Sequence, residues 1–169
     1  NNIDKNNFHF VWAKNSLRKW LSYKCKEKKI DLGWLRIFYV FGPGQREKAL
    51  IPYLCNAFKN NKKPIIKNPF VLNDFIYIDD VINIISKLLK KKLNSKIYEV
   101  GSGKLISVGK ICSYVEKIIL KNNLYFRKDK IKLSKYKISK NKPANLKNYK
   151  IKINNLNIYD ALKKTIGNI

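Results

Sequence analysis

Asn73-Asp74-Phe75-Ile76-Tyr77-Ile78-Asp79-Asp80 is the stretch on which the fold turns. Phe75 to Ile78 form a short unbroken run of apolar and aromatic residues, rich in strand formers, and read as a strand. Asp79 and Asp80 then stand where carboxylates meet the positive end of a helix dipole. They are expected to supply the cap and first-turn acids of a helix running through Leu89.

Working outward, residues 33–41 are nearly continuous in apolar and aromatic side chains and stop at Gly42-Pro43-Gly44. That pattern predicts a buried strand ended by a turn, inside a parallel sheet covered on both faces. Residues 49–58 read as a helix with Pro52 tolerable in its first turn, and Ile65-Ile66 as a short strand. Upstream, residues 10–28 place Trp12, Leu17, Trp20, Leu21 and Cys25 near helical spacing with lysines between them, which predicts an amphipathic helix. Downstream, residues 96–100 read as a strand closed by Gly101-Ser102-Gly103, and Ser107 as the cap of a helix over 108–120. After Lys121 the pattern loosens into Lys, Asn and Tyr until residues 156–166 offer a last short helix. Alternating strands and helices predict an α/β fold without internal repeats.

Composition sets outer bounds. A chain of 169 residues with 45% hydrophobic content can build one real core. No apolar run approaches the ~20 residues that span a bilayer, and no signal-peptide series is visible. Cys25, Cys55 and Cys112 are odd in number and never spaced Cys-x-x-Cys, which argues against a disulfide framework or a zinc site. A soluble protein of the reducing cytoplasm, with no membrane partner, is expected. The formal charge of +26 raises nucleic acid as a partner. Only Arg18, Arg36, Arg46 and Arg127 are arginines, however, and the lysines accompany abundant Asn and Ile, residue types that share A- and T-rich codons. Genome bias accounts for such lysines without a ligand, and non-specific attraction to polyanions follows either way.

Four phrases in fixed order resemble the back half of an extended short-chain dehydrogenase/reductase of the nucleotide-sugar epimerase, dehydratase and ketoreductase group. They are Phe10-Val11-Trp12-Ala13-Lys14, Leu35-Arg36 running into Phe41-Gly42-Pro43-Gly44-Gln45, Asn73 to Asp80, and Tyr98 to Gly103. The resemblance covers about residues 8–120 and implies the last part of a Rossmann-like doubly wound parallel sheet plus a small α/β substrate-binding domain. The implied division is a Rossmann remnant over 1–45, substrate domain over 46–78, a return helix and strand over 79–103, and substrate domain with a basic tail over 104–169. It implies NAD or NADP as cofactor of the full-length family, a nucleotide sugar as substrate, and a homodimer of the full-length protein.

In that family a Tyr-x-x-x-Lys pair shares one helical face; the Tyr moves the sugar proton and the Lys holds the nicotinamide ribose and lowers the Tyr pKa. Here Phe10 takes the Tyr position and Lys14 the Lys position. A literal Tyr136-x-x-x-Lys140 lies in the lysine-rich tail and is set aside, and His9 reads as a surface residue. The resemblance places Ile37 and Phe38 beside the cofactor, and Tyr39, Leu50, Ile51, Pro52 and Asn73 beside the substrate. Asn73 replaces an Arg that pairs with the diphosphate, which leaves Lys67 and other nearby lysines as the cations at hand.

The family opens on a strand, a Gly-x-x-Gly-x-x-Gly turn and a helix that hold the cofactor pyrophosphate. No such turn occurs in these residues, nor any Met, so the chain reads as a C-terminal fragment whose N-terminal half is missing. The expectation is an inactive piece that binds no cofactor alone. The alternatives are a nucleotide-sugar-binding pseudoenzyme and a basic nucleic-acid-binding protein.

Overall fold

A computed structural model describes residues 7–93, 96–122, 124–126, 141–146 and 156–168. Among these residues eleven elements run α1 (Phe8–Glu27), β1 (Trp34–Ile37), β2 (Tyr39–Phe41), α2 (Leu50–Lys59), β3 (Leu72–Asn73), β4 (Phe75–Tyr77), α3 (Ile78–Leu89), β5 (Ile97–Val100), β6 (Ile106–Ser107), α4 (Val108–Leu120) and α5 (Ile158–Ile166). Strands β1 and β5 pair in parallel, as do β2 and β4, while β3 and β6 form a short antiparallel pair. The α/β architecture with parallel strands is as the sequence predicts.

The expected single strand over 33–41 is two. The Phe38 amide still donates to Val100 O at 2.9 Å, but the next amide, Tyr39, donates to Asp74 O at 3.1 Å. The chain therefore changes neighbour from β5 to β4 at Phe38. Nor is the segment buried on both faces, since Ile37 and Tyr39 are 46% and 58% exposed and only Phe41 of β2 is buried. Apolar sequence marks a strand that can be covered; among the described residues the Phe75 ring, 5.5 Å away, covers Tyr39 in part, and Ile37 stays half exposed.

Strand β4 links two apolar clusters because successive strand side chains point to opposite faces. Phe75 and Tyr77 join Phe41, Leu54, Phe58, Ile111, Val115 and Leu162 on the side of α2, α4 and α5. Ile76 joins Val81, Ile84, Leu88, Tyr98 and Val100 on the side of α3. Helix α3 starts at Ile78, two residues earlier than predicted. Its cap position is Tyr77, so Asp79 and Asp80 are first-turn acids rather than caps. Asp80 accepts instead from the Leu156 amide at 3.1 Å, tying the approach to α5 onto α3. Ser107 caps α4 as expected, its Oγ accepting from the Lys110 amide at 3.2 Å. Pro52 sits in the first turn of α2, where an amide would have no helical acceptor.

Ile65-Ile66 is not a strand. Ile65 is 85% exposed and its amide donates to Tyr53 Oη at 2.9 Å, so the segment follows the end of α2 rather than a sheet. Helix α1 forms where predicted but is not amphipathic: its apolar residues, Phe10, Trp12, Leu17 and Trp20 among them, are spread around the helix, and none is buried among the described residues. The Tyr136-x-x-x-Lys140 phrase lies outside the described residues.

Two buried carboxylates organise loops. Asp74 is 1% exposed and its oxygens accept from Ser102 N and Oγ, both at 2.6 Å, and from Gly103 N and Ala144 N, both at 2.9 Å. A side chain at Gly101 would strike this cluster, since its Cβ would stand 2.7 Å from Asp74 Oδ2. That approach explains the glycine better than a turn does. Glu116 is fully buried in α4 and accepts from the amides of Leu124, Tyr125 and Phe126 at 2.9, 2.7 and 3.1 Å. Both carboxylates are satisfied by donors, as buried charges must be.

Candidate functional site

The site begins where β2 ends. After Phe41 the chain turns through Gly42-Pro43-Gly44, runs along 45–49 and enters α2 at Leu50, whose N-terminus has no side-chain cap. This loop and the start of α2 face β3 and β4 across a cavity of about 570 Å³. Of the predicted substrate residues, Tyr39, Leu50, Ile51 and Asn73 line it together, and Pro52 does not. Ile37 and Phe38 line a separate shallow hollow with Arg36, Tyr39 and Val40, so Tyr39 belongs to both.

Asn73 is 5% exposed, and its Oδ1 accepts from Asn141 Nδ2 at 2.8 Å. The same Nδ2 donates to Leu72 O at 2.8 Å, so Asn141 stitches a neighbouring segment to β3. Lys67 is not among the lining residues; the cations that are, Arg46 and Lys48, come from the β2–α2 loop, with Gln45 beside them. The turn phrase quoted from the sequence includes Gln45, but none of the three is named there as a site residue. The available signal was Arg46 itself, one of four arginines in a chain with 37 basic residues.

Phe10 and Lys14 lie on α1, and neither lines any of the cavities described. They are brought together with each other: the Lys14 ammonium stands 4.3 Å from the centroid of the Phe10 ring. Their i, i+4 spacing on one helical face produces this cation–π contact. His9 is exposed, as expected, with its ring edge-on to Phe8.

A larger cavity, about 710 Å³, lies between β4, the 102–106 segment and α5, lined by Tyr77, Asp80, Ser102 and Lys104 among others. Burial, followed by the charge of Asp79, raises the Asp80 pKa, with the Leu156 amide and Lys164 acting against the rise. Burial also pushes the Cys55 thiol to about 11 and the Cys112 thiol to about 12, so both are protonated and poor nucleophiles at neutral pH. No cluster of His, Cys, Asp and Glu among the described residues is arranged to hold a metal, and no described helix is long and apolar enough to cross a membrane.

The sequence profile of the NAD dependent epimerase/dehydratase family matches residues 3–101, more than half of the chain. The chain belongs to that family. Family members similar to it include the CDP-abequose synthase of Salmonella muenchen, 35% identical over 85 residues, 49% of this chain and 29% of the synthase. Among solved structures, UDP-N-acetylglucosamine 4-epimerase from Methanobrevibacter ruminantium M1, in complex with UDP-N-acetylmuramic acid, superposes with a TM-score of 0.73 at 23% identity. That match covers 92% of this chain and 51% of the epimerase. The Bordetella bronchiseptica enzyme WbmF, in complex with NADH, gives a TM-score of 0.73 at 18% identity, covering 89% and 49%. These structural likenesses establish the fold, a Rossmann-type short-chain dehydrogenase/reductase architecture of which this chain spans about half.

A dinucleotide of the kind held by WbmF needs a glycine turn opening onto a helix N-terminus. The five described helices follow Asn7, Ala49, Tyr77, Ser107 and Asn157, none of them a glycine.

Proposed function

We propose that these residues are the C-terminal, substrate-binding part of an NAD(P)-dependent nucleotide-sugar epimerase, dehydratase or ketoreductase, and that the chain alone does not turn substrate over. The observation that carries this reading is the Phe10–Lys14 pair. The lysine stands in the family position, but its ammonium rests on a phenyl face at 4.3 Å where a phenol would be. Epimerisation, dehydration and keto reduction at a sugar carbon all require a group that moves the hydroxyl proton, and a phenyl ring has none. A general acid–base group of this kind contributes ~10²- to 10⁴-fold.

Substrate recognition is a separate task, and the cavity beside Tyr39, Leu50, Ile51 and Asn73 supports it. Strand β1 pairs only with β5 among the described residues, and Ile37, Trp12 and Trp20 are exposed. Those features support an N-terminal half of the fold pairing along β1, and a second copy packing on α1, in the full-length enzyme. Three unpaired cysteines support a reducing cytoplasm as its setting.

Calorimetry on the chain with NAD⁺, NADH, NADP⁺ and NADPH tests the reading. No saturable dinucleotide binding is expected, and Phe10→Tyr alone should not create turnover of UDP-glucose or CDP-glucose. Tight dinucleotide binding, or ordinary enzymatic turnover with Phe10 in place, would show that other groups do both jobs.

A further inference from the structure

We propose that the end of the sheet where the α1–β1 and α3–β5 loops meet is a docking surface for an anionic lipid bilayer. This surface owes nothing to the substrate-binding reading above, and it adds a peripheral membrane contact where the sequence predicts no membrane partner.

Topology makes the surface. Strands β1 and β5 pair in parallel with Trp34 opposite Ile97, so the loops that feed them, residues 28–33 and 90–96, arrive at the same end of the sheet. They pack on each other there. The Trp34 amide donates to Lys96 O at 3.0 Å, and a Cβ on Gly33 would stand 2.9 Å from Leu93 Cδ1. The chain runs on through β1 and β2 before it turns into the substrate cavity, so a partner held on these loops need not cover that cavity.

Charge sets the sign of the partner. Lys28, Lys29, Lys90, Lys91, Lys92 and Lys96 take six of the thirteen positions in the two loops, all six are exposed, and Asp31 is the one acid among them. Across the whole chain basic residues take 37 of 169 positions. Codon bias enriches lysine along a chain, but it does not bring two runs to one place. Helix dipoles do not account for the six either, because Lys24 and Lys26 already stand in the last turn of α1 and Lys87 in that of α3. Adjacent strands lie about 4.8 Å apart, inside a Debye length of about 8 Å at physiological salt. The two runs therefore act as one cationic patch.

The uncharged neighbours choose between polyanions. Ile30 is 58% exposed and Leu89 75%, aliphatic side chains standing in water beside Lys29 and Lys90. At an anionic bilayer the ammonium groups meet lipid headgroups while aliphatic tips enter the acyl boundary. A nucleic acid gains instead from arginine forks and stacking rings, and neither loop holds an arginine or an aromatic residue. No described helix is long and apolar enough to cross a bilayer, and a contact of this kind needs none.

The test is sedimentation of the full chain with vesicles of phosphatidylcholine and phosphatidylserine in equal parts, and with vesicles of phosphatidylcholine alone. Binding is expected to the mixed vesicles only, and should weaken as salt is raised. Lys90→Gln, Lys91→Gln and Lys92→Gln combined should weaken it ~100-fold. Lys59→Gln, Lys62→Gln and Lys63→Gln combined remove the same charge from the end of α2 and should cost less than ~10-fold. All six positions are exposed, and circular dichroism checks that both variants fold as the parent does. Ile30→Ser with Leu89→Ser leaves charge unchanged and should weaken vesicle binding ~3- to 10-fold. Its affinity for a DNA duplex should match the parent's. Absence of binding to the mixed vesicles overturns the proposal, as do equal losses in the two lysine variants, which would make net charge the cause. Tighter binding of a DNA or RNA oligonucleotide through Lys90, Lys91 and Lys92, with vesicle binding indifferent to Ile30 and Leu89, makes the patch a nucleic-acid surface and overturns it too.

Discussion

The side of the molecule built from α2, α4 and α5 and the side that carries α1 draw on similar residues and end in opposite states. Leu54, Phe58, Ile111, Val115 and Leu162 are fully buried, whereas Trp12 and Trp20 are 63% and 57% exposed. Both sides carry large apolar side chains, but those of α1 are spread around the helix, whereas those of α2, α4 and α5 gather on one face. Hydrophobic stabilisation comes from area removed from water, so an apolar helix face contributes only when another surface meets it. On the first side, α2 and α4 cover each other and α5 closes over α4. On the second, α1 stands clear of the described sheet pairs.

The contrast breaks first by truncation. Phe58→Ala opens a hole between α2, Tyr125 and Phe126, whose rings pack on it at 6.4 and 6.2 Å, and should cost about 3–5 kcal/mol. Trp20→Ala should change stability by no more than about 0.5 kcal/mol, since an exposed side chain has little burial to lose. Urea denaturation of the two variants checks both figures. A Trp20 loss comparable to that of Phe58 would mean that α1 is covered in solution.

A second effect of comparable size is expected at Asp74, each of whose oxygens accepts from two donors. Asp74→Asn keeps the shape but replaces one acceptor oxygen with a donor facing amide donors, at a cost of about 1–3 kcal/mol for each donor orphaned. Amide exchange at Ser102, Gly103 and Ala144 should accelerate while that of α1 is unaffected. Uniform acceleration across the chain would instead show that the cluster is not local.

The smallest effect concerns pH. Burial, with Asp79 adding to it, raises the Asp80 pKa in the folded state above its unfolded value. The folded state then holds the proton more tightly, so Asp80's contribution is fully present below the unfolded carboxylate pKa and is lost as pH rises through the folded one. Asp80→Asn retains an oxygen to accept from Leu156 N and removes the charge. It should melt slightly above the parent at pH 7, with the difference shrinking toward pH 4. A difference that grows on acidification would reverse the sign and point to Lys164 as the dominant partner.

The order of the four phrases located Tyr39, Leu50, Ile51 and Asn73, and these four do meet around one cavity. Pro52 did not join them, because a residue in the first turn of a helix points according to the helix and not according to its neighbours in sequence. Arg46 and Lys48 line the same cavity, and in a lysine-rich chain residue type does not set them apart from solvated cations. Gln45 stands in the quoted turn phrase, but its buried, unpaired oxygen could not be read there, being a property of surroundings and not of residue type.

The sequence alone determined the local elements: Ser107 caps α4, and the apolar runs ending in Gly42 and Gly101 made strands, since these depend on residues a few positions apart. It also determined that Phe10 offers no proton, which is a matter of covalent chemistry. The tertiary structure decided the partner change at Phe38, the union of Asp74 with Ser102, Gly103 and Ala144, and the bareness of α1. Each of these depends on which distant segment arrives alongside, and periodicity can mark a surface fit for burial without saying what meets it.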